Sequence, residues 1–289
     1  MHGTIGSAAR FYSDMKFGVA TFVTDNGIRP GSLGRALEDR GFDSLFLAEH
    51  SYIPASRESP YPGGGEMPWM YYRTLDPFVA LSAAASTTRN LLVGTGIALL
   101  VQRDPLHTAK EVASLDQVSE GRAVFGVGVG WNREEMRNHG TDPSMRGALL
   151  NEQLAAVTRL WTEDEAEFRG KLVDFERVHA RPKPVQRPHP PIYIGGESAA
   201  ALRRLDEHGD GWLPRPDTAP EEIARVRASF AAQGRELPVT IFGAGVDEDL
   251  LARWAEAGVD RVTFLLRTRR EDETLAELDG LAEVAARHR

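Results

Sequence analysis

The feature that most constrains the fold of this chain is a regular alternation of short apolar segments with helical patterns. Eight apolar segments of strand length, each followed by a helical segment, run from residue 16 to residue 288. The apolar segments are almost continuous, which is typical of parallel strands that are covered on both faces. Eight such units predict an α/β fold, a (β/α)8 TIM barrel. An open doubly wound sheet is the alternative, but its G-x-G-x-x-G motif is absent from the sequence.

The predicted elements divide the chain as follows. The strands are 16–22, 44–50, 91–100, 123–131, 191–196, 210–215, 239–245 and 261–266. The helices are 32–41, 76–87, 104–121, 146–161, 198–209, 219–234, 247–258 and 271–288. One segment rich in proline and charge, 162–190, breaks the rhythm and predicts an insertion after the fourth helix. We expect residues 1–14 to be a tail and residues 15–289 to form one barrel domain.

Composition excludes several classes of function. The chain of 289 residues has a formal net charge of -8, which argues against binding to nucleic acid. No stretch approaches the ~20 apolar residues that span a bilayer, and there is no signal peptide pattern. Cysteine is absent, which excludes disulfides and thiolate chemistry, and no histidine spacing indicates a metal site. We therefore expect a cytoplasmic protein that binds neither membrane nor metal.

Glycines concentrate at the predicted carboxyl ends of the strands, where a barrel carries its active site. In VFGVGVGWN, Gly126, Gly128 and Gly130 alternate with larger residues, so one face of the predicted strand has no side chains. Such a run indicates the close approach of a ligand or of another backbone. Tight packing of helix on sheet is the alternative. Because several strand ends share this feature, we favour the ligand.

A second glycine pair precedes a helix in the sequence IGGES. Gly195 and Gly196 leave their backbone N–H groups uncovered, and Ser198 is a natural N-cap. A helix N-terminus of this kind binds anions, so the segment predicts a phosphate site, although a plain turn and cap has the same pattern. Glu197 disfavours a phosphate unless its side chain points away.

His50 ends the second predicted strand and is the candidate proton donor or acceptor. Glu49 precedes it, and adjacent strand residues face opposite ways, so we expect only His50 to point into the barrel mouth. The following loop, 54–73, is long and aromatic, as lids and binding loops often are. Tyr52, Trp69 and Tyr71 are its candidate substrate-binding residues, with packing against the rim as the alternative.

Several motifs in combination resemble the luciferase-like flavin and deazaflavin oxidoreductases, in particular the branch that uses coenzyme F420. They are GFDSLFLAEH, VGTGI, LDQVSEGRAVFGVGVGWNREE and the pair IGGES and DGWLPR. The resemblance covers most of residues 15–289. It implies a TIM barrel that binds a planar three-ring cofactor across the strand ends, usually in a homodimer.

The resemblance also implies roles for individual residues. Thr95 and Gly96 would form a bulge behind the ring, often with a non-prolyl cis peptide. Gly128 and Gly130, followed by Trp131, would give the ring system room. The cofactor phosphate would be held by Gly195, Gly196 and Ser198, and the reactive carbon would lie beside His50.

One departure limits the resemblance. Some deazaflavin dehydrogenases of the family carry a glutamate directly after the glycines of the fourth strand, where this chain has Trp131 and Asn132. The resemblance therefore does not imply the mechanism that uses that glutamate.

These observations predict an oxidoreductase that transfers a hydride between F420 and a small organic substrate. An FMN- and oxygen-dependent two-component monooxygenase on the same fold is the first alternative, and a non-catalytic flavin-binding barrel is the second. A phosphate-handling isomerase or lyase is a further one. The oligoglutamate tail of F420 requires cations, and Arg203, Arg204 and Arg215 are the candidates.

Overall fold

The computed structural model describes residues 15–288, so the predicted N-terminal tail lies outside the described residues. Within this range, eight parallel strands form one sheet in the order β8-β7-β4-β3-β2-β1-β10-β9. A parallel bridge between Trp212 on β8 and Val239 beside β9 joins the two outer strands. The sheet is thus a closed barrel, and the predicted TIM barrel is confirmed.

The eight barrel strands alternate with helices as predicted, but a short helix after the fourth barrel strand and a pair of strands in the insertion were not predicted. The strands are β1 Lys16–Thr21, β2 Ser44–Leu47, β3 Leu92–Thr95, β4 Ala123–Val127, β5 Ala166–Arg169, β6 Asp174–Val178, β7 Ile192–Gly195, β8 Gly211–Leu213, β9 Thr240–Ala244 and β10 Arg261–Leu265. The helices are α1 Pro30–Asp39, α2 Pro77–Ala85, α3 Pro105–Val118, α4 Arg133–Asn138, α5 Arg146–Thr162, α6 Ala199–His208, α7 Pro220–Ala231, α8 Glu248–Glu256 and α9 Glu271–Arg287. Short 3-10 helices cover Trp69–Tyr72 and Leu100–Gln102.

Local sequence signals set the ends of several helices. The Asp76 carboxylate accepts hydrogen bonds from the first backbone N–H groups of α2, and Pro77 occupies its first position. Gly41 follows α1 with a φ of 74°, a conformation that glycine adopts at little cost. These signals fix where each helix meets its strand, and hence where each loop leaves the barrel.

The insertion after α5 folds into a small antiparallel sheet, which the sequence did not predict. Strands β5 and β6 pair with each other and with no barrel strand. The carboxylate of Glu152 on α5 accepts hydrogen bonds from the backbone N–H groups of the turn, 171–173. The insertion is therefore attached to the outside of the barrel and does not form a second domain.

The predicted strands near the site are too long at their carboxyl ends. β2 ends at Leu47, β3 at Thr95 and β4 at Val127, whereas strands were expected to 50, 100 and 131. The glycine alternation therefore belongs to a strand only as far as Val127. After Val127 the chain leaves the sheet at the rim of the barrel, where Gly128 and Gly130 line a cavity.

The inside of the barrel is filled by a small cluster of Phe46, Val124, Tyr193 and Leu213. Phe17, Phe264 and Trp212 belong to the larger core between strands and helices, where the Phe17 and Phe264 rings stack at 5.6 Å between centroids. In the described part of the chain, no helix is long and apolar enough to cross a membrane. The packed interior leaves open space at the carboxyl ends of the strands.

Candidate active site

A cavity of about 670 Å³ lies at the carboxyl ends of the barrel strands. Volumes of this order are typical of cofactor and small-molecule sites. Its walls are mainly apolar and aromatic, with glycines from four strand ends. The lining residues used below are His50, Tyr61, Tyr71, Gly96, Ile97, Gly128, Gly130, Trp131, Gly195, Gly196, Arg215, Phe242 and Arg267.

His50 lies on the cavity wall among aromatic rings. Its ring centroid is 5.3 Å from that of Tyr71 and 5.6 Å from that of Trp131, and Tyr61 contacts both of these rings. Thr74 donates a hydrogen bond to the carbonyl oxygen of His50 at 2.8 Å, which fixes the backbone there. The imidazole is thus held at the edge of an aromatic cluster that keeps bulk water away from one side.

The Nδ1 atom of His50 is 2.8 Å from Oε2 of Glu135 on α4. The side chain of Glu135 is fully buried, with 0% of its surface exposed. The backbone N–H of Ser51 donates to the other carboxylate oxygen at 3.1 Å. An ionised carboxylate can only accept hydrogen bonds, so Nδ1 carries a proton and Nε2 is the ring nitrogen left for the cavity.

Glu49 lines the cavity together with His50, but its carboxylate binds different partners. It accepts hydrogen bonds from the Leu99 N–H and from Nε of Arg103, each at 2.6 Å. Arg103 also binds the partly exposed carboxylates of Asp76 and Glu111. Burial alone would lower the pKa of Arg103, but its acidic partners, chiefly Glu49, raise it by more than burial lowers it, so the guanidinium stays charged.

The peptide bond between Gly96 and Ile97 is cis and lies on the cavity floor. Thr95 lies behind it, buried, with its hydroxyl donating to the carbonyl oxygen of Gly126 at 2.7 Å. A Cβ on Gly96 would overlap the Phe242 ring. The floor is therefore flat because a glycine faces an aromatic ring there.

The three alternating glycines have different environments. A Cβ on Gly126 would overlap the carbonyl oxygen of Thr95, so this glycine serves backbone packing and does not line the cavity. Gly128 and Gly130 do line it, and Gly130 has a φ of 70°. Gly126 was expected to let a ligand approach closely. In the structure it lets the backbone of the neighbouring strand approach instead.

The glycine pair after β7 forms the opposite wall. Gly196 has a φ of 102°, and its carbonyl oxygen accepts a hydrogen bond at 2.9 Å from the indole N–H of the buried Trp212. Ser198 caps α6, its hydroxyl accepting from Ala201 N–H at 3.2 Å, and the residue itself is exposed outside the cavity lining. The Glu197 side chain binds Arg215, so its carboxylate is neutralised.

The loop between β2 and α2 covers the cavity and is fastened to α4. The Glu134 carboxylate accepts hydrogen bonds from both the backbone N–H and the hydroxyl of Ser59. Burial raises the pKa of Glu134, but these hydrogen bonds outweigh it, so the pKa lies below its usual value. Two glutamates of one short helix thus hold the loop and the histidine.

The loop aromatics divide into two groups. Tyr71 lines the cavity, and burial together with its contact to Tyr61 raises the pKa of its phenol, which stays neutral. Tyr52 stacks on His139, and Trp69 is 45% exposed. Neither Tyr52 nor Trp69 lines the cavity, so only Tyr71 of the three is placed to touch a ligand there.

Of the candidate cations, one reaches the cavity. Arg215 lines it, whereas Arg204 is buried against Asn151 and Gly147, and Arg203 is exposed on α6 outside the lining. The sequence reasoning missed Glu135 and Arg103. The signal for Glu135 was the N-R-E-E sequence that starts a helix directly after a glycine-rich strand end.

Comparison with known sequences identifies the family and a similar protein. The family profile of the luciferase-like monooxygenases matches residues 28–287. An uncharacterized protein of Mycobacterium tuberculosis is 38% identical over 276 residues, which cover 93% of this chain and 98% of the relative.

Two solved structures share the fold. Monooxygenase RslO1 from Streptomyces bottropensis superimposes with a TM-score of 0.74 at 20% identity, covering 93% of this chain and 98% of that one. An F420-dependent secondary alcohol dehydrogenase, solved with an F420–acetone adduct, gives 0.72 at 16% identity, covering 95% and 100%. At these identities the likeness shows a common fold.

Proposed function

This chain belongs to the luciferase-like monooxygenase family, and from this premise we propose that it is an oxidoreductase transferring a hydride between F420 and a small organic substrate. The observation that carries the proposal is the cavity, where a histidine bound to a buried carboxylate stands beside a flat floor. Fold similarity to an F420-dependent alcohol dehydrogenase supports the choice of cofactor. We also propose that the chain acts as a homodimer.

The residues present fit a planar cofactor. A cavity of about 670 Å³ has room for a three-ring system and a small substrate together. Gly96, Gly128 and Gly130 line the cavity and would border the ring, and a side chain on Gly96 or Gly128 would displace Phe242 or Ile97 in the cavity wall. Gly195, Gly196 and the N-terminus of α6 would hold the phosphate, since that helix end offers free N–H groups.

When bound, F420 supplies the hydride. His50 holds or releases the proton at Nε2, beside the substrate oxygen that gains or loses it. Tyr61, Tyr71 and Trp131 surround this position and exclude water from it. The aromatic surroundings favour an apolar substrate.

The cations at the cavity mouth are exposed and have carboxylate partners, Arg215 with Glu197 and Asp217, and Arg267 with Glu277. Such exposed pairs are screened by water, so Arg215 can still meet the anionic tail of F420. The wall beside His50 is formed by aromatic rings. We therefore propose an apolar carbonyl compound, or the corresponding alcohol, as the substrate class.

The alternative is a monooxygenase that uses reduced FMN and oxygen. The similarity to RslO1, which is a monooxygenase, favours it, and the same floor fits either ring system. The two proposals differ in which cofactor binds, so binding separates them.

The test is a calorimetric titration of the purified protein with oxidised F420 and, separately, with FMN. We expect micromolar or tighter binding of F420 and much weaker binding of FMN. Preference for FMN would replace the proposal by the monooxygenase. If neither cofactor binds, both proposals fail. If F420 binds and no substrate is turned over, the chain is a non-catalytic binding barrel.

A pair of variants locates the binding. Ala48 lines the cavity beside His50, so Ala48→Phe fills part of it and should weaken F420 binding at least tenfold (~1.4 kcal/mol). Val246 is 50% exposed outside the lining, so Val246→Phe adds a similar ring without blocking the cavity. Equal affinities of the two variants would place the cofactor elsewhere.

A further inference from the structure

Glu135 is a buried carboxylate to which the proposed reaction gives no task. Burial of a carboxylate costs free energy unless it is paired and hydrogen-bonded. Its side-chain partners are His50 and Ser51, which lie 85 and 84 residues away at the end of β2. Helix α4 therefore directs this carboxylate at the histidine to which we assign the proton.

The adjacent Glu134 shows what a purely structural glutamate does on the same helix. Its side chain is also buried, yet it binds only the loop through Ser59 and does not line the cavity. The two neighbours share burial, charge and helix, but they differ in the group they contact. Glu134 is therefore the matched control for Glu135.

We propose that Glu135 is a positioning residue that holds His50 with Nδ1–H on the carboxylate and Nε2 towards the cavity. The inference rests on the proposed role of His50. The carboxylate oxygen lies 2.8 Å from Nδ1 and accepts the proton of that atom, which leaves Nε2 to exchange a proton with the substrate. Without the carboxylate, either nitrogen can carry the single proton of the neutral ring.

The reaction balances with this arrangement. In the direction of reduction, F420 if bound would supply a hydride to the carbonyl carbon, release a proton to solvent and be left oxidised, while the carbonyl oxygen would gain the proton from Nε2. The C=O π bond is lost, and one C–H and one O–H bond form. His50 becomes neutral and keeps its Nδ1 proton on Glu135, and a proton from solvent restores the imidazolium. Oxidation of the alcohol reverses each step.

Other groups near His50 do not supply the charge. Tyr71 is neutral because its phenol pKa is raised, and Trp131 carries no charge. Glu49 is turned to Arg103. His139 reaches the site only through the Ser51 hydroxyl, which is 2.8 Å from its Nε2 and 3.4 Å from Glu135. Among the groups around His50 named here, Glu135 is therefore the anion that acts on the ring.

The experiment is a ¹⁵N NMR titration of the histidine rings in the protein without cofactor. We expect the neutral His50 ring of the wild type and of Glu134→Gln to carry its proton on Nδ1. In Glu135→Gln the amide N–H₂ donates to Nδ1, so the single proton of the neutral ring moves to Nε2. Glu135→Asp keeps the charge and should restore the wild-type tautomer at least in part.

The outcomes separate this inference from the proposed function. If Glu135→Gln and Glu134→Gln give the same His50 tautomer, the inference is wrong whatever the cofactor. If the NMR result is as expected but F420 does not bind, only the proposed function fails. Should Glu135→Gln not fold, the comparison is made with Glu135→Asp, whose shorter side chain must change the tautomer populations of His50 more than Glu134→Asp does.

A second readout uses the loaded enzyme. We expect Glu135→Gln to lower kcat about tenfold or more, while KM for the substrate stays within about twofold. An equal loss of kcat in Glu134→Gln would indicate that α4 has a structural role only.

Discussion

The two halves of the cavity rim are built in different ways. The half from β2 to β4 is held by buried charged groups, with Glu49 bound to Arg103 and Glu135 bound to His50. The half from β7 to β10 consists of glycines such as Gly196 and of exposed ion pairs. In the proposed function the first half carries the proton chemistry and borders the ring through Gly96, Gly128 and Gly130, and the second half holds the phosphate at Gly195 and Gly196.

The difference has an energetic basis. Buried charges are stable only as pairs, so removing one partner leaves the other uncompensated. Exposed pairs are screened by water and contribute little. Mutations in the first half of the rim should therefore lower the free energy of unfolding. Mutations in the second half should mainly weaken ligand binding.

The largest effect is expected in the buried network. Arg103→Met leaves Glu49 buried without its cation, and the free energy of unfolding should fall by about 3–5 kcal/mol. Arg215→Met removes an exposed pair and should cost under ~1 kcal/mol. Urea unfolding of both variants measures the contrast, and similar losses would mean that the two halves do not differ in this respect.

A smaller effect is expected in the glycine half. Gly196 has a φ of 102°, which side chains rarely adopt, whereas Gly245 has no such φ and a Cβ added there would meet no heavy atom within 4 Å. Gly196→Ala should weaken F420 binding about tenfold by displacing the backbone to which we assign the phosphate, because strain of ~1–2 kcal/mol must be relieved. Gly245→Ala should bind as the wild type does, and calorimetry compares them.

The smallest effect concerns the loop held by Glu134. Its pKa is below the usual 4.5, so this carboxylate stabilises the fold fully above that pH, and the contribution is lost as the pH falls through the lower folded-state pKa. Glu134→Gln should therefore flatten the fall in unfolding free energy below about pH 4.5. Urea unfolding between pH 3 and 6 measures this pH dependence. If the unfolding free energy of Glu134→Gln falls with pH as steeply as that of the wild type, the contact of Glu134 with Ser59 does not stabilise the fold.

The barrel itself could be predicted from the sequence because its signal is repeated. Each apolar segment is weak evidence alone, but eight in alternation leave few architectures. The short helix α4 could not be found in this way, since the six residues 133–138 are too few to show a period. Its capping residue, Asn132, accepts from Glu135 N–H, a contact that identifies the helix only once the loop is placed.

The site was predictable where one residue type sufficed. His50, Gly128, Gly130 and the glycine pair after β7 line the cavity, as their positions at strand ends suggested. Glu135 was not predictable, because its role depends on a contact across 85 residues that no local pattern encodes. Gly126 shows the opposite case. It shares the alternating glycine pattern with Gly128 and Gly130, but glycine is needed there because a Cβ would overlap the carbonyl oxygen of Thr95.

The hydrogen bond from the Trp212 indole to the Gly196 carbonyl oxygen couples tryptophan fluorescence to the cavity wall. The indole belongs to the strand that closes the barrel and is wholly buried, while the carbonyl it binds belongs to the cavity wall. Indole emission responds to the hydrogen bond on its N–H and to charges nearby. An anion that settles on the glycine pair changes both, so the colour and intensity of ultraviolet emission register occupancy without any label.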